Sequence, residues 1–164
     1  MAKDKAEMSV RDHIHSETKK NIVINFILNG AISYALFHSL TEISASGEHG
    51  YSMDLLITGF LLPAILGGIF IGMFRAKYRK KEILPTGREG QAFSWLLPYN
   101  PWLAALWIGI LATAIAVPWL LGVLALLNIE TFSPISYAIT KAIWAAALAG
   151  LIVPIAIGQG LRAP

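Results

Sequence analysis

The chain has 164 residues, 55% apolar and 14% charged, with a formal net charge of +3. Ordinary soluble domains carry about 25% charged residues, so the apolar excess points to lipid. The chain has no cysteine, which excludes disulfides, thiolate metal sites, cysteine nucleophiles and dithiol redox chemistry.

The apolar residues lie in long uncharged blocks: 21 residues between Lys20 and Glu42, 20 between Asp54 and Arg75, 40 between Glu89 and Glu130, and 20 between Lys141 and Arg162. A bilayer core of ~30 Å needs about 20 apolar residues of helix. None of the blocks shows the two-residue alternation of barrel strands. The sequence therefore predicts an all-α integral membrane protein, a four-transmembrane-helix bundle.

In chain order, residues 1–20 form a polar tail, helical from Ser9 as an N-cap. Span 1 covers 21–40. The small residues of ISAS at 43–46 follow it, but the block exceeds the usual signal-peptide core of about 7–15 residues and its flank mixes acids with bases, so span 1 is expected to be retained. A short acidic loop leads to span 2 at 53–74. A turn-rich connection at 75–101 follows, whose Phe93, Trp95, Leu96, Leu97 and Tyr99 suit the headgroup level. Span 3 covers 102–127 and span 4 covers 135–157, with Pro118 and Pro154 inside them, and 158–164 is a short tail. Of 13 basic residues, all but Lys141 fall in the two tails or the 75–101 connection, while Glu42, Glu48 and Glu130 occupy the other two loops. The positive-inside rule then places both termini in the cytoplasm, with a bacterial inner membrane the expected location. The same clustering at span ends makes the basic balance a topology signal, so no nucleic-acid partner is expected.

Span 1 carries Asn21, Asn25 and Asn29 at four-residue spacing, continued by Ser33. Steps of four drift about 40° around a helix, so these residues share a face. An amide facing lipid would be unsatisfied. The face is therefore expected to meet another helix, as hydrogen-bonding glue or as the wall of a polar conduit, with Asn21 near the interface. Ala64, Gly68 and Gly72 in span 2, beside Gly67, and Ala138, Ala142, Ala146 and Gly150 in span 4 form small-residue faces that permit close helix packing.

Lys141 is expected ~10 Å below the start of span 4. It either snorkels to the interface, pairs with an acid, or serves a substrate or proton. Asp54 is the first-choice partner, ahead of Glu42 and Glu130. His38 and Glu42 share a face near the end of span 1, with His49 close by in sequence, a weak two- or three-ligand metal pattern. No cofactor is indicated. No nucleophile–base pair, phosphate loop or paired intramembrane carboxylates can be found, so no catalytic residue is assigned.

Small multidrug exporters are similar in span number, but they depend on a glutamate buried in the first span, and span 1 has none. The stretch GGIFIGMFRAKY at 67–78 resembles the glycine–arginine stretch of fluoride channels, with different spacing and in the second span. The strong charge bias also opposes the dual topology of those channels. Immunity proteins against pore-forming toxins are similar in plan, a likeness of shape alone. The remaining expectation is a non-catalytic membrane subunit or accessory protein acting through helix–helix contacts, in a homo-oligomer or a larger membrane complex. The alternative is a small oligomeric transporter or channel using the Asn25/Asn29 face or the Lys141 region.

Overall fold

The computed structural model describes residues 10–47, 50–83 and 96–162. Four helices organise them: α1 (Val10–Phe37), α2 (Tyr51–Arg79), α3 (Pro101–Leu126) and α4 (Pro134–Gly160). Each is long and apolar enough to cross a membrane. α1, α2 and α4 outrun the expected spans, chiefly toward the end rich in Lys and Arg. Thus α1 runs unbroken from Val10 into span 1, so the tail expected to be helical and the span are one helix. There Val10 is buried and Lys20 reaches back to Glu17 at 3.0 Å. Its expected cap, Ser9, lies outside the described residues.

The ends of α2 and α3 are closed by the same device. After α2, Lys81 takes φ 57°, Glu82 N–H donates to the Lys77 carbonyl and Lys81 N–H to that of Tyr78, both at 3.0 Å. After α3, Asn128 takes φ 54°, and the N–H groups of Ile129 and Asn128 satisfy the carbonyls of Leu124 and Ala125 at 2.9 and 3.0 Å. These are Schellman closures with a left-handed residue after the cap. Asparagine accepts that conformation readily; lysine pays a steric cost.

Packing makes α4 the central helix. α1 runs along α4, α2 packs on both α4 and α3, and α3 scarcely touches α4. Small residues set the registers. A Cβ on Gly30 of α1 would stand 3.2 Å from Ala142 Cβ, and one on Gly150 of α4 would stand 3.3 Å from the Ile22 side chain. Between α2 and α3, Gly67 faces Ala105 and Gly109 faces Ala64 and Phe60. Prolines sit inside α2, α3 and α4, at Pro63, Pro118 and Pro154.

Two apolar clusters fill the interior. One joins Val10, Phe74, Ile83, Leu97 and Leu161, so the start of α1, the end of α2, the approach to α3 and the end of α4 meet at one end. The other joins Phe37, Ile43, Tyr51, Phe132 and Tyr137 at the opposite end. There the two loops pair in a way the sequence patterning did not foretell: β1 (Ile43–Ser44) lies antiparallel to β2 (Thr131–Phe132). Two residues are too short to leave a pattern. The pairing exists because the packed helices bring both loops together and because Ile43 and Phe132 turn their side chains into the core.

Candidate functional site

The candidate site is built where α2 and α4 both start, beneath the paired loops. Gly50 caps α2 with an extended backbone and no side-chain hydrogen bond, and Asp54 sits in the first turn. A carboxylate there is favoured by the partial positive charge of the helix N-terminus. Ser133 caps α4, its Oγ accepting from the Ser136 N–H at 3.3 Å, with Pro134 opening the helix. One turn apart on α4, Tyr137 and Lys141 project toward the same carboxylate. Lys141 Nζ lies 2.7 and 2.6 Å from the two oxygens of Asp54, and the Tyr137 hydroxyl donates to Asp54 Oδ2. Lys141 is 2% exposed. Its ammonium does not extend to the surface, as a snorkelling lysine would; it is held inside by one neutralising acid.

Aromatic rings close over this triad. Tyr137 is edge-on to Phe37 at 5.4 Å and lies 5.7 Å from Phe132 and 6.1 Å from Tyr51. The Tyr51 hydroxyl donates to the Ile129 carbonyl at 3.0 Å, pinning the ring layer to the second loop. Excluding water strengthens the pair and raises the cost of separating it. Glu42 and Glu130, the other acids considered for Lys141, are exposed in the loops and take no part. His38 is also exposed, its Nδ1 2.9 Å from the Ala35 carbonyl. His49 and Glu48 lie outside the described residues, and among the described residues no three metal-ligating side chains converge.

The amide ladder differs in its bonding from the expected interhelical glue. Asn21, Asn25 and Asn29 each donate Nδ2 to the carbonyl four residues earlier in α1, at 2.9, 2.9 and 3.1 Å. Asn29 also lies 3.4 Å from Asn25 Oδ1. The spacing that puts the amides on one face also brings each within reach of its own helix, which costs less order than a bond across helices. Asn25 and Ser33 are buried, and the Ser33 hydroxyl has no hydrogen-bond partner.

The small-residue faces divide. Ala138, Ala142 and Ala146 are buried and Gly150 half-buried, and the contacts of Ala142 and Gly150 are with α1. In α2, Ala64 touches Gly109, Gly68 is only in ordinary contact range of Ala105, and Gly72 has nothing within 4 Å of its Cβ position. The close approaches of α2 instead use Gly67 and Gly59, the latter against Val117 and Trp144. The contact face is rotated from the one that four-residue spacing singled out.

Sequence reading also missed a polar clamp at the opposite end. Arg75 Nη2 donates to the Tyr99 carbonyl at 2.8 Å, Gln159 Nε2 to that of Pro98 at 2.8 Å, and Arg162 Nη1 to that of Leu97 at 3.3 Å. Three side chains from α2, α4 and the residues just after α4 thus hold three consecutive carbonyls ahead of α3. Among the residues with expected headgroup preference, Phe93 and Trp95 lie outside the described residues. Arg75 and Gln159 are buried, and the guanidinium lies over the Tyr99 ring, 4.5 Å from its centroid. Arg75 was legible only as one more basic residue at a span end, and Gln159 gave no signal at all.

Comparison with protein-family models, curated proteins and solved structures finds no match to this chain.

Proposed function

We propose that this is a multi-pass membrane protein with both termini in the cytoplasm, acting as a non-catalytic subunit or accessory protein by helix–helix contact in a membrane complex. The location proposed is a bacterial inner membrane. The observation that carries the reading is the separation of the two buried polar clusters by a packed apolar middle. Leu66, Phe70, Ile108, Leu148, Ala149, Ile152 and Val153 fill it. Among the described residues one copy thus offers no continuous polar route through its middle. Its flanks are free for contact: α4 is largely enclosed, whereas α1 and α3 keep most of their apolar surface outward. Orientation is supported by the concentration of Arg75, Lys77, Arg79, Lys80, Lys81 and Arg162 at the end where α1 starts and α4 finishes.

Native mass spectrometry and size-exclusion chromatography of the gently solubilised protein test this reading. A defined homo-oligomer or a stoichiometric membrane partner is expected. A homo-oligomer that drives solute flux in proteoliposomes, abolished by Lys141→Met, would replace it with the oligomeric transporter reading, which the buried ion pair favours. Cysteines introduced at Ser46 and Ser133 should react with impermeant maleimide from outside intact cells, and one at Thr86 should not.

A further inference from the structure

Arg75 is 93% buried, yet it meets no carboxylate among the described residues; its partners are the Tyr99 carbonyl and the Tyr99 ring. Its Nε–H is buried without any partner. A buried cation without a counter-charge is costly, and Lys141 in the same protein shows the ordinary solution, an internal acid at 2.6 Å. Arg75 lines an open cavity of about 640 Å³ between the end of α2 and the start of α3. Arg79, Lys80, Tyr99 and Asn100 line it too, and among the described residues no acidic side chain does. The first N–H groups of α3 are already satisfied by Asn100 Oδ1, at 3.0 and 3.3 Å. The cavity's attraction is therefore side-chain cationic charge and not a free helix terminus. On the side toward the middle of α2 the cavity floor is Gly72, whose missing side chain leaves a strip where, apart from the backbone of α2 itself, no atom of the described residues lies within 4 Å of the Cβ position.

We propose that this cavity binds an anionic phosphate ester. Its most fitting source is an acidic glycerophospholipid, with the phosphate between Arg75, Arg79 and Lys80 and an acyl chain lying over Gly72. Guanidinium groups match phosphate oxygens with paired N–H donors, and basic pockets between helices at a membrane surface suit anionic headgroups. The cavity and its charge suit such a headgroup whichever compartment the basic end faces.

The test uses the purified full chain, delipidated and then offered vesicles of phosphatidylglycerol or phosphatidylcholine, or inorganic phosphate at millimolar concentration, with retained lipid counted by native mass spectrometry and protection read by thermal melting. Phosphatidylglycerol should be retained at least about fivefold over phosphatidylcholine. Removing Arg79 and Lys80 charge (Arg79→Gln, Lys80→Gln) should lower retention by about fivefold each, as expected for one basic contact at a membrane surface. Gly72→Leu adds its side chain to open space, so it should melt normally and still lose the lipid. Arg75→Gln should lose it as well, but Gly72→Leu decides the matter if Arg75→Gln misfolds. Equal retention of the two lipids, or a preference untouched by Gly72→Leu and by both charge removals, would overturn the proposal. Protection by inorganic phosphate without retention of phosphatidylglycerol would overturn the lipid as its source.

Discussion

The two ends of the helix assembly bury a cation each and treat it differently. Near the paired loops, Lys141 meets Asp54 within hydrogen-bonding distance and Tyr137 completes the carboxylate's shell. At the basic end, Arg75 meets, among the described residues, a carbonyl and an aromatic face only. The difference follows from what each ion can tolerate. An ammonium is a compact, strongly hydrated charge that must be neutralised when water is removed. A guanidinium is planar, more weakly hydrated and able to stack on a ring while bonding a carbonyl. The first arrangement is complete within the chain. The second leaves cationic charge available to something outside it.

Breaking the ion pair should have the largest effect. Lys141→Met leaves Asp54 charged and only partly exposed, at 17% of its side-chain surface, which should cost roughly 3 kcal/mol of unfolding free energy in mixed micelles. Lys141→Met with Asp54→Asn should recover most of that loss, since the amide still accepts from Tyr137 and no bare charge remains. Additive losses in the two single variants and the double variant would show that the pair is not coupled. Arg75→Met should cost less, about 1–3 kcal/mol in lipid-free micelles, because it strands only the Tyr99 carbonyl and no opposite charge. A loss equal to that of Lys141→Met would erase the contrast between the ends. Gln159→Leu removes one donor from the Pro98 carbonyl and should cost about 1 kcal/mol, read from the same unfolding curves. Ile27→Leu, on the outward face of α1 at 61% exposure, should change stability by less than about 0.5 kcal/mol. Asn25→Leu, on the buried face, should exceed it.

Some of this arrangement was legible in the residues. The blocks between charges located four helices, because helical length in lipid is set by bilayer thickness. Their ends were misjudged where polar turns carry the helix on past the apolar block, as at the Lys- and Arg-rich end of α2, which runs to Arg79; the helical tail from Val10 was legible. The faces were harder to read. A four-residue spacing marks a stripe on one helix but not the azimuth at which the neighbour sits, so Gly72 was assigned to a contact made by Gly59 and Gly67.

Sequence alone determined the count of apolar helices, the asymmetry of charge between the two sets of loops, and a lysine placed too deep in a helix to be ordinary. Each of these is a property of composition along one dimension. Tertiary structure decided which acid meets that lysine, that the amides of α1 bond within their own helix, and that Arg75 is buried with no acid of the described residues beside it. It also decided that α3 leans on α2 and leaves α4 almost untouched. Those outcomes depend on the relative rotation and register of helices, set by contacts as small as a glycine against an alanine. Such contacts are pairwise, so they come into being only when both partners are in place.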